Sequence, residues 1–331
     1  MNNYTRNIYI LSRVKGVGPA TLNKLINAGY NSIEDLANGC NAEELKKYIK
    51  GGNQVEAIES ILDYADQHIE LISIELDHLK DLSIEIFSKW DDQYPIGYTL
   101  IKDAPIFIYS KGNHELLKWK DNIALVGSRN CSEAGIAIAN NTARYFSENN
   151  YNIISGLAKG IDSAGHIGAL KAKEGKTTAV VIDVEQIFPQ ENQYLADKII
   201  NSGGLIISEN PPGTTVAGNL FVRRNRLQSG LAIATFVIEA GINSGTMHTV
   251  KFAREQNRLI FIPDIKKNED FDSYSDSRKG MPHLMAIEGV ETFTNESYKN
   301  IINKLNKKKI ELFSKKSTIN EAVTGKTEKL F

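Results

Sequence analysis

The chain has 331 residues, of which 41% are hydrophobic and 24% charged, enough ordinary globular material for two domains. Its formal net charge of −1 excludes a protein that coats nucleic acid through bulk positive charge, so any site for a polyanion must be a local basic patch. Two distant cysteines, Cys40 and Cys131, indicate neither a zinc site nor a disulfide framework. Without a leader-like N-terminus or a run of about 18 apolar residues, we expect a cytoplasmic protein with no membrane partner.

A small all-helical domain is predicted for residues 1–68, because apolar residues recur at helical spacing between glycine breaks. Within it, Gly16 and Gly18 immediately precede a predicted helix. This pattern resembles a helix-hairpin-helix (SAM-like) motif, in which backbone amides and the helix N-terminus hold a DNA phosphate. The alternative is a tight turn between helices that binds nothing.

Residues 69–120 are predicted to be a connector that leads into the core of the protein. Its first part, residues 70–79, is compatible with either a helix or a strand. Pro95 and Pro105 argue against a helix in the later part, which we expect to be extended and rich in turns.

Residues 121–313 are predicted to form a doubly wound α/β domain with a mostly parallel sheet, because short apolar runs alternate with helical segments. Two such runs, Ile123–Val126 and Asn152–Ile154, end at a glycine or serine and pass into helices. Free amides and the helix dipole at such junctions favour an anion. Two junctions side by side at the carboxyl ends of neighbouring parallel strands therefore predict a binding crevice.

The first candidate contacts to phosphate lie at these two junctions. Arg129 could hold a phosphate bidentately, or it could instead pair with Asp162 or Glu209. Lys159 could reach the same crevice, or remain a solvated surface lysine. The other predicted contacts here are Gly127, Ser128, Ser155, Gly156 and Gly160.

A second group of candidates lies in residues 221–226, FVRRNR, where three arginines fall within four residues. We expect at least one of these arginines to contact an anionic ligand, and Phe221 could stack on a base. Alternatively, the arginines bind carboxylates of neighbouring loops and Phe221 belongs to the core. The candidates are Phe221, Arg223, Arg224, Asn225 and Arg226, with Ser244, Gly245 and Thr246 at a third strand-to-helix junction.

Three further polar residues near the crevice allow a catalytic or a structural interpretation. Asp162 and His166 are four residues apart and so share one helix face, as an acid–base pair would. No nucleophile or second carboxylate is fixed beside them by spacing, so we favour a structural role for both. Glu239, at the end of a strand, is expected to face the crevice in a supporting role. We therefore predict no catalytic residue, metal or cofactor.

Several sequence blocks occur in an order that resembles the DNA-processing protein A family, also called DprA or Smf. The resemblance covers about residues 90–263 and includes IALVGSR (123–129), SGLAKGIDSAGHIGAL (155–170), GGLIISENPPG (203–213), FVRRNRLQSGLA (221–232) and VIEAGINSGTMHT (237–249). It implies a Rossmann-like domain preceded by a small helical domain. It also implies binding of single-stranded DNA without sequence preference, loading of a RecA-type recombinase, and a homodimer.

The resemblance weakens after Pro263. Residues 297–313 predict a lysine-rich amphipathic helix, and residues 314–331 a short polar tail without the winged helix that many relatives carry. The alternative function is a nucleotide-binding enzyme or sensor that uses the same crevice, for instance in defence. The sequence leaves open whether the pathway is transformation, recombination or defence.

Overall fold

The computed structural model describes residues 1–50, 54–62, 66–264 and 276–327. It divides the chain into two compact units, Met1–Tyr94 with Ile106–Tyr109 and Pro95–Pro105 with Ser110–Phe331. The expected connector, 69–120, is therefore shared between the units. The predicted boundary at residue 68 falls inside a continuous helix, Asp66–Asp81, and this helix also resolves the ambiguity of residues 70–79.

The first unit is mainly helical, as its apolar spacing predicts. Gly16 has a φ of +91°, in the region that favours glycine, and Gly18 caps the helix that begins at Pro19. Strand β1 (Glu85–Ser88) lies beside the first part of β2 (Phe107–Gly112). The helices are α1 (Asn3–Ser12), α2 (Pro19–Asn27), α3 (Ile33–Gly39), α4 (Ala42–Tyr48), α5 (Gln54–Leu62) and α6 (Asp66–Asp81).

The second unit is built on a parallel sheet with the strand order β6-β5-β4-β3-β7-β8-β9. The strands are short and almost entirely buried, which explains their continuous apolar runs. Their bounds are β3 (Asn122–Val126), β4 (Asn152–Ser155), β5 (Lys176–Val180), β6 (Leu205–Ser208), β7 (Ala234–Val237), β8 (Leu259–Pro263) and β9 (Val290–Phe293).

Helices cover both faces of this sheet, because the chain winds outward from β3 in two directions. One set contains α7, α8 and α9, which contact one another in sequence, and the other contains the packed pair α10 and α11. This is the doubly wound, Rossmann-like class that the sequence predicts. The bounds are α7 (Glu133–Glu148), α8 (Ile161–Leu170), α9 (Gln193–Asn201), α10 (Gly218–Leu231), α11 (Gly245–Glu255), α12 (Met281–Met285) and α13 (Tyr298–Thr327).

The position of β3 determines where a ligand would bind. From β3 the chain passes through α7 to β4 on one side, while β7 pairs with β3 on the other, from Ile123 opposite Ala234 to Val126 opposite Val237. In open α/β sheets, such a reversal of strand order leaves a crevice at the carboxyl ends of the strands.

The last helix corrects the predicted tail. α13 continues to Thr327, so most of residues 314–331 are helical rather than an irregular polar segment. The reason is that no glycine or proline interrupts the sequence from Tyr298 to Thr324. In the part of the chain that the structure describes, no helix is long and apolar enough to span a bilayer.

Candidate nucleic-acid interface

A cavity of about 620 Å³ opens where β3 and β7 end. Its lining comes from the loop after β3, the start of α8, the first turns of α10 and the N-terminus of α11. These are the predicted strand-to-helix junctions, together with the helix that carries the FVRRNR segment. The structure thus brings them to one place at the point where the strand order reverses.

Two glycines allow the first two junctions to touch. Gly160 has a φ of +77°, and a Cβ there would overlap the backbone oxygens of Ser128 and Arg129. A Cβ on Gly127 would lie 2.7 Å from the side chain of Ile161. Glycine at these positions therefore serves the contact between the loops, which holds the backbone of residues 127–130 against the start of α8.

Arg129 is exposed at the mouth of the cavity, with its guanidinium carbon 5.2 Å from the ring centroid of Phe221. Among the described residues, neither predicted carboxylate partner holds it. Asp162 accepts a backbone hydrogen bond, and Glu209 pairs with other arginines. The side chain is therefore available to a ligand, and its flat face already lies against an aromatic ring.

Lys159 lies at a different place from the one predicted. Its Nζ is 2.7 Å from Glu191 Oε1, both side chains are more than half exposed, and Lys159 is not part of the cavity lining. An exposed pair of this kind contributes little to stability. The expected contact of Lys159 inside the crevice is therefore corrected to a surface ion pair beside it.

The arginines of FVRRNR do not form one patch, because successive positions on α10 point in different directions. Arg226 is 4% exposed and pairs with Asp103 at 2.6 Å and with Glu209 at 2.8 Å. Arg223 is exposed, with Glu209 at 3.4 Å. The predicted ligand contact of Arg226 is therefore wrong, and the carboxylate alternative describes it correctly.

Arg224 is also 4% exposed, although it contributes to the cavity lining. Its Nη1 donates to the carbonyl oxygen of Gly156 at 2.8 Å and to that of Val180. Burial lowers the pKa of Arg224 to about 10, and the nearby Asp162 carboxylate opposes this shift. The guanidinium therefore ties α10 to the ends of β4 and β5 instead of reaching out to a phosphate.

The remaining groups at the second junction are structural. Ser155 Oγ is buried and donates to the carbonyl oxygen of Leu125 at 2.7 Å, so the predicted phosphate contact of Ser155 is wrong. The amide of Gly156 donates to Asp162 Oδ2 at 3.1 Å, and a Cβ on Gly156 would collide with Arg224. Burial raises the pKa of Asp162, opposed by Arg224 and by backbone amides.

His166 lies in the interior beneath the same junction. Its Nδ1 is 2.7 Å from Thr177 Oγ1, and burial lowers the pKa of His166 to about 3. Asp162 and His166 thus have separate partners, and the structure favours the structural interpretation of both.

Glu239 was expected to face the crevice but lies behind the loop that carries Arg129. Its carboxylate accepts hydrogen bonds from the amide and hydroxyl of Ser132 and pairs with Arg278 Nε at 3.0 Å. Its backbone oxygen accepts the amide of Ser128. Glu239 therefore fixes the loop from below, with a partner, Arg278, that lies beyond the region of resemblance and that sequence reasoning missed.

The third junction, at the N-terminus of α11, contributes Ser244, Gly245 and Thr246 to the cavity lining. Ser244 Oγ is buried and has no hydrogen-bond partner among the described residues. Asn225 Nδ2 donates to the carbonyl oxygen of Gly245 at 3.1 Å, which makes it a link between α10 and α11.

Sequence reasoning missed two residues of the cavity lining, Phe188 and Gln228. Gln228 lies one helical turn after Arg224, so helical spacing from the FVRRNR segment could have found it. Phe188 lies in the loop between β5 and α9, and no spacing rule connects it to Phe221.

In the first unit, the loop before α2 has the glycine geometry of a hairpin. A Cβ on Gly18 would meet no described atom within 4 Å, so the backbone there is open. Contact of Gly16 and Gly18 with a phosphate stays a prediction.

Comparison with known families places the fold and the cavity in a wider group. The model for DNA recombination-mediator protein A matches residues 85–306, and a model for a SAM-like helix-hairpin-helix tandem matches residues 9–54. The DNA processing protein DprA of Streptococcus pneumoniae (strain ATCC BAA-255 / R6) is 40% identical over 176 residues, 53% of this chain and 61% of that protein. DprA of Bacillus subtilis (strain 168) is 36% identical over 180 residues, 54% of this chain and 59% of that protein. The matches span about three fifths of the length of these relatives.

Two solved structures share the architecture. The X-ray structure of DNA processing protein A from Streptococcus pneumoniae has a TM-score of 0.68 and 31% identity, covering 89% of this chain and 95% of that chain. DNA processing protein A from Helicobacter pylori, described with a single-stranded DNA binding mode, has a TM-score of 0.57 and 24% identity over 68% of this chain and 96% of that chain. The second likeness establishes the fold alone.

Proposed function

The chain belongs to the DNA recombination-mediator protein A family, and we propose that it binds single-stranded DNA without sequence preference at the cavity where β3 ends. One observation carries the proposal: the exposed guanidinium of Arg129 lies over Phe221 at the cavity mouth. A cation beside an aromatic face suits the alternating phosphates and bases of a single strand. The Helicobacter pylori relative, which is described as binding such DNA, supports the same ligand.

The strand would be held mainly through its backbone. Arg129 offers a bidentate contact to one phosphate, and the N-terminus of α11 offers free amides and a favourable dipole to another. Phe221 offers a stacking face that every base can use, so sequence preference is not required. Because the chain as a whole is nearly neutral, binding depends on these few contacts rather than on a general positive field.

The test compares wild type with Arg129→Ala, using fluorescence anisotropy of labelled single- and double-stranded oligonucleotides at several salt concentrations. We expect Arg129→Ala to weaken single-strand binding about tenfold or more, with an unchanged melting temperature because the side chain is exposed. Wild-type affinity should fall with salt at roughly −0.7 per phosphate contacted, and Arg129→Ala should show a shallower slope.

The matched control is Arg144→Ala, an exposed arginine on α7 that pairs with Glu148 and does not line the cavity. It should bind like wild type. A flat salt response, or wild-type affinity in Arg129→Ala, contradicts the proposal. Competition by ATP, NAD or nucleoside monophosphates, followed by formation of a product, would favour the nucleotide-binding enzyme or sensor instead.

The family resemblance further supports two partners, a RecA-type recombinase that receives the bound strand and a second copy of the chain. The recombinase step is tested by the rate at which RecA filaments assemble on strands covered with single-strand binding protein. Acceleration by wild type and not by Arg129→Ala is expected. Light scattering tests the homodimer, for which the mass should be twice 36.8 kDa.

A further inference from the structure

Phe188 is an aromatic side chain that remains exposed on the wall of the cavity. It is 47% exposed, and its ring centroid lies 5.4 Å from that of Phe221 with an interplanar angle of 48°. Arg129 covers the Phe221 ring as well. All three line the cavity, so one side of it is built from flat groups that a planar ligand can stack against.

The inner part of the cavity carries polar groups without partners. Gln228 is 2% exposed, and its Nε2 has no hydrogen-bond partner among the described residues; the same holds for Ser244 Oγ. Both residues contribute to the lining. Buried polar atoms are rarely left unpaired in native proteins, so these two indicate a ligand group that hydrogen bonds to them.

The charges in this inner part favour a neutral ligand group over a second phosphate. The guanidinium of Arg224 is already bound to two backbone carbonyls, and the carboxyl group of Asp162 belongs to the same lining. What remains for a ligand is an amide, a hydroxyl and aromatic faces. A flat group with hydrogen-bonding edges fits this chemistry, and a nucleobase is such a group.

We propose that the cavity is a nucleobase subsite, into which one base of the bound strand turns, with its face toward Phe188 and Phe221 and its edge toward Gln228 and Ser244. This inference rests on the proposed binding of single-stranded DNA. It adds Phe188 and Gln228 to the binding residues and assigns the base, rather than the phosphate, to the interior. The cavity volume of about 620 Å³ is within the range of small-ligand sites, ~300–1,000 Å³.

The test uses two oligonucleotides of equal length, oligothymidylate and a fully abasic strand with tetrahydrofuran in place of each nucleoside. Wild type should bind the strand with bases about tenfold or more tighter than the abasic strand, because stacking is lost in the latter. Phe188→Ala should reduce this ratio severalfold while leaving affinity for the abasic strand unchanged. Phe188→Trp should restore it.

The matched control is Tyr194→Ala, which removes a 76% exposed aromatic ring near the start of α9, outside the cavity lining. It should leave both affinities unchanged. Gln228→Leu, which keeps the volume but removes the amide, should lower affinity for the strand with bases and spare the abasic one. A strand carrying 2-aminopurine should be quenched on binding to wild type, and less so on binding to Phe188→Ala.

The outcomes separate the two proposals. If wild type binds neither oligonucleotide, the proposed function is wrong. If wild type binds both equally, or Phe188→Ala weakens both by the same factor, the nucleobase subsite is wrong while strand binding stands. Should Phe188→Ala melt at a lower temperature, 2-aminopurine bound to wild type decides, because unquenched fluorescence would overturn the subsite.

Discussion

At the scale of single residues, His166 has a defined tautomer. The hydroxyl of Thr177 donates to the carbonyl oxygen of Ile153 at 2.7 Å, so its oxygen can only accept from Nδ1–H of His166 at 2.7 Å. Nε2 then carries the lone pair, and it has no partner among the described residues. A second proton would place an uncompensated charge in the interior, which is why burial lowers the pKa of His166.

This lowered pKa predicts a loss of stability in acid. An unfolded chain protonates His166 near its ordinary pKa of 6.5, whereas the folded chain does so only at about 3. The free energy of unfolding should therefore fall as pH decreases from 6.5 toward 3, by up to about 1.4 kcal/mol per pH unit from this group. Asp162, whose pKa is raised, acts in the opposite direction above its ordinary value.

Urea unfolding of wild type and His166→Asn at about pH 7, 6 and 5 measures the effect. Asparagine keeps a donor near Thr177 but cannot titrate, so its free energy of unfolding should depend less on pH than that of wild type. Only the two slopes are compared, since the substitution itself lowers stability at every pH. Parallel dependences would show that His166 is not the titrating group.

What could be predicted at this scale was residue type and region, not side-chain direction. Arg129 and Phe221 were placed at the crevice by the sequence pattern, and the structure brings them together. Arg224 and Arg226 share the same segment, yet their partners are a strand-end carbonyl and a carboxylate from distant parts of the chain. A count of arginines cannot reveal such partners, because burial is decided by tertiary packing.

At the scale of elements, the contact between the loop after β3 and the start of α8 depends on Gly160. Any side chain there meets both an unfavourable φ of +77° and the backbone oxygens of Ser128 and Arg129. The loop that presents Arg129 would have to move to make room. The element that provides the binding surface is therefore shaped by a residue that contacts no ligand itself.

Gly160→Ala should accordingly lower the melting temperature and weaken single-strand binding, because the loop cannot keep its position. Gly203→Ala is the matched control: its φ is also +77°, but a Cβ there would meet no described atom within 4 Å. It should cost only backbone strain, about 1 kcal/mol, without affecting binding. Equal effects of the two substitutions on affinity would contradict the role given to the loop contact.

Element types were predictable where the hydrophobic pattern is strong. The β-branched runs of β3 and β4 and the helices that follow them begin within a residue or two of their expected positions. Residues 70–79 were ambiguous because apolar residues alternate within a longer helical pattern, and packing of α6 decides between the two. Buried Asn152, which bonds Asn122 and Thr178 across three strands, gave no signal in the sequence.

At the scale of the whole molecule, charge and binding are separated. The chain is nearly neutral, while a single exposed arginine marks the mouth of the cavity. The fold class followed from alternation of strands and helices, and it led directly to the reversal of strand order as the place for a ligand. The unit boundaries did not, because residues 106–109 belong with the first unit although residues 95–105 before them belong with the second.

The cavity draws its lining from parts of the sequence as distant as Gly127, Phe188 and Ser244, and these meet only when the sheet is fully assembled. A bound strand would consequently act as a clasp on the whole second unit. Melting temperature should rise with oligonucleotide concentration in wild type, as mass action requires, and much less in Arg129→Ala. Cooperative unfolding, and not local fraying, would then be the event that releases the DNA.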